Sequence, residues 1–185
     1  MGPWGKTALL GALVTYGWAF TRVRREYVED GHLSPITSGA VYVAYGLHAL
    51  AFLAAIRRPA PPALPSTTAT VVGLPLALTG TALFVSGWRA LPVADDSGLA
   101  TGGLVTGGAY RVSRNPQNVG WALLLLGVAL VRRSGPGAGL TALFWAAFRA
   151  YLPLEEAFLE RTYGEAYRHY QDRAPRFLGR PARDA

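Results

Sequence analysis

Apolar residues gather into five runs, at about residues 4–20, 35–56, 67–88, 116–131 and 138–152, separated by segments rich in Arg, Gly and Pro. The runs are long and do not alternate with polar residues, which predicts helices rather than strands. A helix needs roughly 20 apolar residues to cross a bilayer, and the first three runs come close to or reach that length. The last two are shorter and are joined by the turn Ser134-Gly135-Pro136-Gly137, so they read as a helical hairpin. The pattern predicts an all-α integral membrane protein of about five transmembrane helices, the last two a hairpin, with a short cytoplasmic C-terminal helix running through Tyr170. Pro75 predicts a kink in the third helix, and the proline-rich segment 59–65 predicts a stiff connector. Arg22, Arg24 and Arg25 follow the first run where a cleavage site would carry small residues, so this run is expected to be retained.

Composition strengthens the membrane reading. Of the 185 residues, 51% are hydrophobic and only 16% charged, where a soluble domain carries about a quarter charged; the mean hydropathy is +0.21. The net charge is +7, and all but one of the 18 basic residues are arginine. With five crossings, 12 of them (Arg22, 24, 25, 89, 111, 114, 161, 168, 173, 176, 180 and 183) fall on one side, against 5 (Lys6, Arg57, 58, 132 and 133) on the other. The excess of arginine on the cytoplasmic side predicts a cytoplasmic C-terminus and an N-terminus outside, as in a bacterial-type inner membrane. The absence of cysteine excludes disulfides and thiolate metal sites. His32, His48 and His169 are scattered with no acid at ligand spacing, so no metal site is expected, and His48 reads as an interior histidine. No nucleophile–histidine–acid set, phosphate loop or nucleic-acid-binding patch is present.

Two polar knots interrupt this pattern. The first is residues 104–120, LVTGGAYRVSRNPQNVG, with Arg111 and Arg114 between a glycine pair and Asn115-Pro116. The second is Glu155-Glu156, just past the last apolar run. Five crossings put both knots on the cytoplasmic side, where they can meet. Arg149, inside the last run, costs about 2.5–3.5 kcal/mol at mid-bilayer. It either snorkels to pair with Glu155 or Glu156, or grips an anionic ligand group. Gly107 and Gly108 either make turns or let backbone N–H groups approach an anion. Asn115 either lines a site or caps the fourth helix ahead of Pro116. Tyr163, Tyr167, Tyr170 and Phe177 read most simply as an interfacial belt.

GGAYRVSRNPQNVGW, followed by LEEAFLERTYGEAYRHYQDRAPRFL, resembles the integral-membrane methyltransferases, which include isoprenylcysteine carboxyl methyltransferases and phospholipid N-methyltransferases. The resemblance covers about residues 79–178. It implies one membrane domain, with accessory spans at 1–66, a cofactor-binding core at 67–178 and a tail at 179–185. It also implies S-adenosylmethionine as cofactor, bound by Gly80, Leu104, Val105, Gly108, Tyr110, Arg111, Arg114, Asn115, Pro116, Glu155 and Glu156. Arg149 and Glu156 are the catalytic candidates. Ala82, Ala109, Asn115 and Asn118 depart from the family pattern, which has Gly, Pro, His and Tyr at these positions. The Asn-Pro form favours a phospholipid amine as acceptor from the lipid bilayer. An isoprenylcysteine carboxylate or small thiol is the alternative acceptor. A nicotinamide-dependent sterol-type membrane reductase, or a membrane scaffold that has lost its site, are the alternative functions.

Overall fold

The computed structural model describes residues 1–57, 65–92, 95, 97–99 and 102–181. The connector at 59–65 lies outside these residues except for Pro65, as do Asp96 and Arg183. Among the described residues there are six α-helices and no strand: α1 Pro3–Glu29, α2 Pro35–Ile56, α3 Ser66–Ala90, α4 Pro116–Val131, α5 Gly135–Tyr163 and α6 Glu165–Arg173, with a single 3₁₀ turn at Gly108–Arg111. Two of them, α2 and α3, are long and apolar enough to cross a membrane.

α2 begins where Ser34 accepts the Thr37 N–H, with Pro35 at the first helical position. α4 spans the residues that the pattern predicts. α1 runs nine residues past the expected end at Phe20. Arg22 pairs with Glu26 at 3.0 Å and Arg25 with Glu29 at 2.8 Å, each four residues apart, which supports the extra turns. α5 likewise continues through Pro153 to Tyr163, so Glu155 and Glu156 stand on the same helix as the last apolar run. Pro75 lies inside an unbroken α3.

The helices form two pairs, α1 with α2 and α3 with α4, bridged by α5, which packs on α1, α2 and α4. Glycine sets the closeness of α3 and α4. Gly73 and Gly80 on α3 meet Gly127 and Gly120 on α4, and a Cβ added at Gly80 would lie 2.4 Å from Leu124 N and 2.6 Å from the Gly120 carbonyl. The backbones therefore touch, as small residues allow between membrane helices. α3 buries little else than these glycines and Ala69, and Val71, Val72, Leu74 and Leu78 face outward. Exposed apolar area of this extent marks contact with a membrane or another protein. The central core joins Ala8, Phe52, Leu125, Phe144, Phe148 and Leu152 from α1, α2, α4 and α5.

At one end of the bundle, Glu26 fastens α1 to α2. It is 4% exposed. It accepts the Ser34 N–H at 2.8 Å and the Thr37 hydroxyl at 2.7 Å, besides the Ser34 hydroxyl and Arg22. Burial pushes its pKa up, but these donors outweigh it and hold the carboxyl down at about 2. The segment after α3 folds onto the same corner, the Leu33 N–H donating to the Gly98 carbonyl at 2.7 Å.

Candidate functional site

The two polar knots meet. The loop after the 3₁₀ turn is held by the chain beyond α6. The Arg114 N–H donates to the Pro175 carbonyl at 2.8 Å, the Gly179 N–H to Val112 O at 3.2 Å, and Asn115 Nδ2 to the Arg176 carbonyl at 3.0 Å. Residues 175–179 thus lie as a strap along 112–115. The strap's Arg176 reaches Glu156 on α5 with two hydrogen bonds, Nε to Oε1 at 3.0 Å and Nη2 to Oε2 at 2.6 Å. Arg114 Nη1 stands 3.2 Å from the same Oε1. Glu156 is therefore clamped between two guanidinium groups. The side chains of Glu156 and Arg114 are each 10% exposed and that of Arg176 49%. Arg114 Nε and Nη1 are buried and complete no hydrogen bond of good geometry, which leaves donor capacity for an anion.

Asn115 occupies the N-cap position of α4, but its side chain does not cap the helix. Its amide is committed to the strap instead. Pro116 has no N–H, so one of the helix's unsatisfied donors is missing in any case.

The tyrosines expected at an interfacial belt are folded inward. Tyr167 and Tyr170 are buried with Tyr110 and Ala174 beneath the loop, and the Tyr170 hydroxyl donates to the Tyr110 carbonyl at 2.7 Å. Burial, and after it the negative charge of Glu156, pushes the Tyr167 phenol up to about 12 against the opposing charge of Arg114. Tyr163 is half-buried and donates to the Gly102 carbonyl at 2.9 Å. The buried cluster fixes the height of the loop above α5, where a solvated belt would leave it loose.

Above this floor opens a cavity of about 460 Å³, within the range of small-molecule sites. Arg114, Asn115, Glu155 and Glu156 line its polar end. α2 supplies a wall through Ser38, Val41, Tyr42, Tyr45, Gly46 and Ala49, one helical face. That face spans about 16 Å at 1.5 Å per residue. Phe84 and Trp88 of α3, Trp121 of α4 and Phe144 of α5 complete an aromatic upper part. The Tyr27 and Tyr151 hydroxyls, 3.0 Å apart, stand where the two parts join, with Tyr27 stacked on Phe158 at 4.3 Å.

Of the candidates read from the sequence, Leu104, Val105, Tyr110, Arg114, Asn115, Pro116, Glu155 and Glu156 line this cavity together. Gly80 sits at the α3–α4 contact, Gly108 is exposed with φ 58°, and Arg111 is exposed. Arg149 is exposed too, its guanidinium 5.4 Å from the centre of the Phe177 ring on the strap. The buried row of α5 runs Phe144, Phe148, Leu152, Glu156 at steps of four, which leaves Arg149 about 100° to one side. No group of His, Asp or Glu suited to a metal ion occurs among the described residues.

The α2 wall, Tyr27 and Arg176 escaped the sequence reading. The signal for the wall was present: in α2, residues 38, 41, 42, 45, 46 and 49 recur at helical spacing and carry three hydroxyls within an apolar run. Arg176 stood within the quoted stretch that carries the resemblance, but nothing in the sequence pairs it with Glu156, and among the tail arginines it reads as part of the basic charge.

No curated protein and no solved structure matches the chain. Residues 68–166, which carry nearly all of α3, the loop, α4, α5 and the start of α6, match the phospholipid methyltransferase family, and the chain belongs to that family of methyltransferases acting on lipid.

Proposed function

We infer that this protein is a membrane-embedded enzyme that takes a methyl group from S-adenosylmethionine and delivers it to the amine of a phospholipid headgroup. The observation that carries the reading is a cavity that joins a charged floor, built from both polar knots, to an aromatic slot between outward-apolar helices. The residues fit the cofactor. Arg114 suits its carboxylate, Glu155 its ammonium or ribose hydroxyls, and Leu104, Val105 and Tyr110 its adenine. When bound, S-adenosylmethionine supplies a methyl group already activated on a cationic sulfonium. What remains for the protein is positioning.

The α2 wall and Trp88, Trp121, Phe84 and Phe144 accept the lipid, their ring faces favouring a cationic headgroup. Glu156 acts one step back, holding Arg114. Arg149 serves the strap through Phe177. On this reading α1–α5 all cross the bilayer, α4 and α5 form a hairpin, and the floor and α6 face the cytoplasm. The arginine distribution and the outward apolar faces of α1–α3 support this topology.

Titration calorimetry in nanodiscs tests the cofactor. The wild type should bind S-adenosylmethionine, and Glu155→Gln should weaken binding by about 1.5–3 kcal/mol, the range for a charge-assisted hydrogen bond. A folded wild type that binds a nicotinamide dinucleotide and no S-adenosylmethionine would overturn the reading.

A further inference from the structure

We propose that Arg176 is a positioning residue that fixes the cofactor-side loop through Glu156. The proposal rests on the function inferred above only for what the loop binds. Arg176 lies outside the matched residues 68–166. It is half exposed, yet both its hydrogen bonds to a side chain run inward, one to each oxygen of a carboxylate that is itself 10% exposed.

The arrangement has a physical logic. A bidentate pair fixes the plane of the carboxylate as well as its position. Glu156 so fixed presents Oε1 to Arg114 Nη1 at 3.2 Å. Arg114 needs that counter-charge, since it is buried and sits on a loop. Without Arg176, Glu156 can rotate toward Arg114 or Tyr167, and the orientation of Arg114 toward the cavity is no longer unique. The backbone of the strap holds the loop independently, through Pro175 and Gly179. Arg176 thus has two separable links to the loop. Its carbonyl takes the Asn115 amide, and its side chain acts through Glu156.

The test uses the full-length protein in nanodiscs, with amide hydrogen exchange over residues 112–118 and S-adenosylmethionine affinity as readouts. Arg176→Ala keeps the carbonyl and removes the guanidinium. It should raise exchange in the loop and weaken the cofactor by roughly tenfold, reduced from a fully buried pair because Arg176 is half exposed. Arg176→Lys, which keeps charge without the fork, should restore part of both. In a Glu156→Gln background the same Arg176→Ala change should move each readout by less than about twofold, because its target is already lost. Equal losses in both backgrounds would show that Arg176 merely fastens the strap, and would overturn the proposal. If the wild type binds no S-adenosylmethionine, the functional reading fails by itself. Loop exchange then decides the proposal alone: an unchanged rate in Arg176→Ala refutes it, and a rise that vanishes on the Glu156→Gln background sustains it.

Discussion

Asn115→Asp separates two roles that the sequence leaves open. A helix-capping residue at this position would tolerate Asp, which ranks with Asn as an N-cap. The geometry gives the opposite expectation. Asn115 is 8% exposed and its Nδ2 donates to the Arg176 carbonyl at 3.0 Å, while its side chain makes no capping bond. Asp has nearly the same shape but no donor at neutral pH. It sets a carboxylate oxygen against a carbonyl oxygen and leaves that carbonyl unpaired. Losing one buried partner costs about 1–3 kcal/mol. The nearby Arg114 and Arg176 charges offset part of the added negative charge, so the expected loss is about 1–2 kcal/mol, and Asn115→Ser should lose a similar amount because its hydroxyl is too short to reach the strap. Differential scanning fluorimetry in detergent reads the stability, and exchange at Gly179 and Arg114 N–H reads the strap. If Asn115→Asp melts with the wild type and leaves strap exchange unchanged, the amide does not hold the strap and the capping role is correct.

Other substitutions probe the frame of the site. Glu26→Gln should cost about 3 kcal/mol at neutral pH, the value of a carboxyl held at about 2 against 4.5. Because its folded pKa is depressed, this stability is present above pH 4.5 and lost as pH falls toward 2, so wild-type and variant melting temperatures should converge across that window; a constant difference would refute the assignment. Gly80→Ala puts a methyl group 2.4 Å from the Leu124 backbone nitrogen, and should destabilise by about 1–3 kcal/mol as the helices part; an unchanged melting temperature would mean that α3 and α4 are not in backbone contact. A reporter fused after Ala185 should be active only in its cytosolic form, and periplasmic activity would overturn the five-crossing topology.

Much of the helix plan was legible because burial in lipid and protein demands long apolar runs, and α2, α3 and α4 end within two residues of where their runs end. α1 and α5 were read short for one reason: their last turns are polar. Ion pairs sustain the end of α1, and the inward row that ends in Glu156 sustains α5, and neither registers as hydropathy. The meeting of the two knots was legible from charge and chain order. The clamp was not. In the sequence Glu156 pairs as readily with Arg149 or a ligand, because its partner Arg176 is 20 residues away, among arginines that also read as membrane-facing charge. Asn115 showed the right position for a cap, yet a backbone carbonyl 61 residues on competes for its amide and wins.

The central claim is that one cavity holds a methyl donor and a lipid amine together. The most direct measurement supplies S-adenosylmethionine with an isotopically labelled methyl group to the purified protein in nanodiscs of ethanolamine phospholipid, followed by lipid extraction. Label should appear in the lipid phase on the headgroup nitrogen, and less of it in Glu155→Gln. Label that never leaves the aqueous phase, with the protein folded and the lipid present, would contradict it.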